Sequence, residues 1–188
     1  MDVPAGQQGE QRVPIGGGRF ADLPPDRERE AFVAYFKERV YATFTGLAIV
    51  LVVASEGHAA GAHAFFALVL GVIGVTAAGF ASDVIALLAV HREFPRRRAF
   101  SVLGRIAAGA LSTLLVPAVL IALGWMEIIR LDAALRASAY VYLVTLAVIG
   151  WLAVRRARLV WWKQLVALGI LVALGGTVIL LQTLAHAI

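Results

Sequence analysis

The chain predicts an all-α polytopic membrane protein. Its 188 residues are 61% hydrophobic and only 15% charged, far more apolar than a soluble domain, where apolar content is close to half. Runs of about 20 residues almost free of charge recur along it, the length at which a helix crosses the bilayer hydrocarbon. Its basic residues gather at the ends of those runs, where insertion places them. The formal charge of +5, from 17 basic and 12 acidic residues, therefore belongs to membrane topology, and no nucleic-acid partner is expected. The chain contains no cysteine, which excludes disulfides, thiolate metal sites and thiol catalysis.

Residues 1–26, rich in Gly, Pro, Gln and charge, cannot offset the entropy of ordering by apolar burial, so a disordered cytoplasmic tail is expected. The segment lacks a basic n-region and an apolar h-region, and the first span is expected to serve as an uncleaved anchor. Asp26, after Pro24-Pro25, is the expected N-cap. Over 27–38, Phe32, Val33, Phe36 and Val40 form one apolar stripe among charges. That pattern suits an amphipathic interfacial helix, or equally a helix packed on the protein's own cytosolic face.

Five spans follow, at about 39–55, 64–90, 100–125, 137–154 and 159–185 of the sequence. Arg27, Arg29, Lys37 and Arg39 flank the first. Arg92, Arg96, Arg97 and Arg98 fill the second loop, Arg130 and Arg136 the third, and Arg155, Arg156 and Arg158 the fourth. The first loop, "SEGHAAGAH", has neither Lys nor Arg. The positive-inside rule then places the N-terminus in the cytoplasm and the C-terminus outside, in a multi-pass protein of the cell membrane. Trp125, Trp151, Trp161 and Trp162 fall near span ends, as an interfacial aromatic belt requires.

One carboxylate stands inside the second span. An ionised Asp83 there costs about 2.5–3.5 kcal/mol on insertion scales and demands a partner. Spans two and three form a hairpin around "HREFPRRR"; with Phe94 as its midpoint, Asp83 and Arg105 sit about equally deep, on the order of 10 Å inside the boundary. The expectation is an Asp83–Arg105 ion pair across this hairpin. Gly79 on span two and Gly104, Ala108 and Ser112 on span three supply the small residues for close helix packing. Pro117 removes the partner of the Thr113 carbonyl and is expected to kink span three. Such a pair serves either as a structural pin or as part of an ion or proton pathway. A third arrangement has Arg105 snorkelling to the cytoplasm beside a protonated Asp83.

On the external side, Glu56, His58 and His63 share the first loop and His186 ends the last span. Imidazole and carboxylate together can ligate metals or sense external pH, but "EGHAAGAH" has no known ligand spacing and loop histidines are usually only solvated. Ser-His-Asp geometry, a phosphate loop, a metalloprotease helix and paired catalytic carboxylates are all missing from the sequence, so an enzyme is not expected. No cofactor is expected either.

The run "VYATFTGLAIVLVV" (40–53), the proline-containing "LSTLLVPAVLIALG" (111–124) and the stretch 143–181, with its basic turn and glycine-rich last span, together resemble the vacuolar iron transporter family. The likeness covers about 39–188, mostly as hydropathy and turn placement. It implies a five-span fold, a homodimer and a path for the transported ion between subunits. Thr45 stands where that family carries an aspartate. Span two lacks its methionine and glutamate, and the loop of about nine residues leaves no room for its carboxylate-rich cytosolic helices. The functional expectation is a proton or small-ion transporter-like protein with Asp83 as titrating group. The alternative is a non-transporting scaffold or accessory subunit that recruits a membrane-protein partner, with Asp83–Arg105 as its pin.

Overall fold

The computed structural model describes residues 20, 22–57, 60–91, 97–156 and 169. Every regular element among them is helical: α1 (Pro25–Ser55), α2 (Gly61–His91), α3 (Arg97–Leu111), a 3₁₀ turn (Ser112–Leu114), α4 (Leu115–Trp125) and α5 (Leu131–Arg156). Four stretches among the described residues are long and apolar enough to cross a bilayer: Asp26–Ser55, Gly61–Ala89, Ala99–Trp125 and Leu131–Leu152. They occupy the places of the first four expected spans. The expected fifth, 159–185, lies outside the described residues apart from Gly169.

Helix α1 is the hub, packing against α2, α3 and α5, while α4 packs on α2 and α5. The core follows helical spacing. Ala64, Leu68, Val72 and Thr76 recur every fourth residue on the buried face of α2, and Ser138, Tyr142 and Leu146 do so on α5. Against them α1 places Ala42, Leu47, Val50 and Val53, with Ala110 of α3 and Ile121 of α4 closing the cluster. Large apolar side chains also point outward, among them Leu70, Ile85, Leu115, Val119 and Val144. Apolar surface on this scale fits a lipid environment and would be anomalous in water.

Pro25 opens α1 at its first turn, where a missing N–H costs nothing, with Asp26 and Glu28 at the positive end of the helix dipole. The residue at the cap is thus Pro24, and Asp26 is already helical. No break separates the expected interfacial helix from the first span. The buried face also differs from the expected one: Ala31, Tyr35, Glu38 and Ala42 point inward while Val33 is exposed. The segment packs on the protein's own helices. Nor is the end of the expected tail loose, since Phe20 is fully buried in a cluster with Ala31, Tyr35 and Ile106.

The expected kink at Pro117 takes the form of the 3₁₀ turn at Ser112–Leu114. Losing the Pro117 N–H frees the carbonyl one turn before it, and the ladder tightens there. Helix α4 ends in a Schellman motif: Ile128 N–H donates to Leu123 O at 3.1 Å and Glu127 N–H to Gly124 O at 3.2 Å. Glu127 holds the left-handed position, with φ 59°.

Candidate functional site

Charged residues of α1 and α2 meet at the end of the bundle where α1 begins and α2 finishes. Asp83 projects from the last third of α2 towards α1, and its Oδ1 lies 3.9 Å from Lys37 Nζ. Lys37 also lies 3.6 Å from Oε1 of Glu38. The Glu38 side chain is only 5% exposed, Asp83 24% and Lys37 45%. Gly79, one turn from Asp83, makes room for this arrangement. A Cβ there would run into the Glu38 carboxylate. Two carboxylates thus share one half-exposed ammonium, and the cluster carries a formal charge of −1.

Arg105 is engaged elsewhere. Its Nη1 and Nη2 donate to Oδ1 and Oδ2 of Asp22, each at 3.0 Å, and its guanidinium lies over the Phe20 ring, 5.4 Å from the centroid. This planar two-bond fork is the geometry that favours arginine over lysine. The expected Asp83–Arg105 pair is therefore replaced by two pairs, Asp83–Lys37 and Arg105–Asp22. The hairpin argument fixes depth but not rotation about each helix axis. It also leaves out the N-terminal half of α1. That half instead brings Lys37 to Asp83, and the chain entering it carries Asp22 to Arg105.

Of the four residues expected to pack the hairpin, Gly79 faces the interior, towards α1. Gly104, Ala108 and Ser112 are exposed, and among the described residues no heavy atom lies within 4 Å of where a Gly104 Cβ would stand. The inward face of α3 and the 3₁₀ turn is carried by Leu103, Ile106, Gly109, Ala110 and Thr113. Gly109 is the glycine that α3 needs for close packing, since a Cβ there would enter the Tyr35 ring.

Beside the cluster, Arg39 Nη1 donates to Tyr35 Oη at 2.8 Å, while its buried Nε has no hydrogen-bond partner among the described residues. At the opposite end of the bundle, His63 Nε2 and Glu56 Oε2 are 3.8 Å apart and both side chains are well exposed. The structure thus joins two of the four expected external groups; His58 and His186 lie outside the described residues. No group of three or more His, Cys, Asp or Glu side chains suited to a metal ion occurs among the described residues. Arg130 and Arg136, at this same end, both bond the Asp132 carboxylate.

Sequence reasoning missed Glu38, Lys37 and Asp22. The signal for Glu38 was present: Ala31, Tyr35, Glu38 and Ala42 follow i, i+4, i+7, i+11, one helical face. The more strongly apolar side chains of Phe32, Val33 and Phe36 concealed it. Asp22 carries no periodic signal, because it precedes the helix. No family model, curated protein or solved structure matches the chain.

Proposed function

We propose that this chain is a multi-pass membrane protein that passes protons or a small cation across the bilayer, with Asp83 as its titrating group and the Lys37–Glu38–Asp83 cluster at the cytoplasmic end of the path. One observation carries the reading: Asp83 is held loosely, at 3.9 Å, by a half-exposed lysine, while the arginine at its expected depth is bound by Asp22. A carboxylate must change charge during turnover, and one locked in a two-bond arginine fork cannot do so readily. That Asp22 occupies the arginine expected to pin Asp83 favours this reading over the scaffold alternative. Orientation with the basic helix ends in the cytoplasm, and a fifth span completing the bundle, belong to this proposal.

A symmetric homodimer is its assembly. The exposed Gly104–Ala108–Ser112 ladder gives each protomer a small-residue face of the kind that lets membrane helices approach closely. The test is ion flux into liposomes holding purified protein. Wild type dissipates an imposed proton or cation gradient, and Asp83→Asn abolishes this while retaining the elution profile and melting temperature of a folded protein. Silent wild-type liposomes, with a membrane protein that co-purifies stoichiometrically, would replace transport by the scaffold reading.

A further inference from the structure

Tyr142 of α5 is fully buried in the middle of the helical core, and its hydroxyl has no hydrogen-bond partner among the described residues. The residue is built in rather than tolerated. Gly46 of α1 leaves the space its ring tip occupies, since a Cβ there would run into Cζ and Oη of Tyr142. The side chains clustered around Tyr142 are apolar, so an orphaned hydroxyl here forfeits its desolvation energy unless a bound water completes it.

Two further buried hydroxyls lie one helical turn away along the bundle. Thr43, fully buried, lies one turn from Gly46 on α1, towards the Lys37–Glu38–Asp83 cluster, and its Oγ1 donates to Arg39 O at 2.6 Å. Ser138, also fully buried, lies one turn from Tyr142 on α5, towards the opposite end, and its Oγ approaches Pro117 O at 3.4 Å. Each uses its proton on a backbone carbonyl and keeps its oxygen lone pairs free to accept.

Resting on the transport reading above, we propose that Tyr142 is a hydrated proton-relay group and that the substrate is the proton rather than a metal cation. A hydronium on the cluster side of the ring gives its extra proton to a lone pair of Oη and is left as water. The original hydroxyl proton leaves to a water on the Ser138 side, which becomes hydronium. At Oη one O–H bond forms and one breaks, and the phenol ends neutral as it began. A metal cation would need several oxygen ligands at one depth; a line of single hydroxyls suits a proton passed along hydrogen bonds.

The experiment combines proton flux in liposomes, read with an internal pH dye, with hydroxyl-radical footprinting by X-ray radiolysis, which labels side chains touching bound water. Wild type conducts and Tyr142 is labelled despite its burial. Tyr142→Phe then lowers flux at least tenfold with an unchanged elution profile, while Tyr140→Phe, on the exposed side of the same helix, leaves flux intact. A conducting wild type whose Tyr142→Phe variant conducts equally, and melts about 2–4 °C higher because an unfilled hydroxyl has been removed, overturns the relay alone. A wild type that leaves the gradient intact overturns transport and the relay with it.

Discussion

Arg105 and Asp22 form a two-bond ion pair, both bonds 3.0 Å long, between α3 and the residues that lead into α1. It links positions 83 residues apart in sequence and closes over Phe20, whose ring is buried beneath the guanidinium. A double-mutant cycle of Asp22→Asn with Arg105→Gln should return a coupling of about 0.5–1 kcal/mol, the range for partly exposed pairs of good geometry. The coupling shrinks as salt is raised from low to physiological strength. Additive single effects at low salt would dissolve the pair.

Gly46 and Tyr142 fix the spacing of α1 and α5. Gly46→Ala should lower stability by about 1–3 kcal/mol through overpacking, read as a drop in melting temperature in detergent. Shortening the opposing side chain in Gly46→Ala/Tyr142→Leu should recover part of the loss. An unchanged melting temperature in the single variant would contradict the close approach.

The left-handed backbone at Glu127 offers a gain. Glu127→Gly removes a Cβ penalty of about 1 kcal/mol at the Schellman position, less the extra freedom of glycine in the unfolded chain. A small rise in melting temperature is expected. A fall would mean that the Glu127 side chain contributes more than the strain it imposes.

Because the chain has no cysteine, one introduced thiol reports a symmetric contact without background. Ala108→Cys should form a disulfide-linked dimer under mild oxidation in membranes, whereas Val33→Cys, on the exposed face of α1, should not. Equal yields at both positions would point to random collision and remove the proposed dimer face.

Hydropathy and charge made the four described apolar helices legible in sequence, because the energy of placing a residue in hydrocarbon is large and nearly additive. Pro117 was legible for a similar reason: a missing N–H acts locally. The partners of Asp83 and Arg105 were not. Equal depth follows from rise per residue, but azimuth depends on which helix packs on which. That depended on α1, whose buried face carries Ala31, Tyr35 and Glu38 where the more strongly apolar Phe32 and Val33 drew attention outward. Tyr142 went unnoticed because one tyrosine in an apolar run looks like packing. Only the glycine facing it and its unbonded hydroxyl single it out.

The unbroken course of α1 has a mechanical consequence. Its 31 residues extend about 46 Å, against roughly 30 Å of hydrocarbon. The helix is therefore about ten residues longer than a perpendicular crossing needs, and its early turns are braced from two sides, Tyr35 against Gly109 of α3 and Glu38 against Gly79 of α2. A displacement near Asp26 is thus shared with both neighbours before it reaches Gly46.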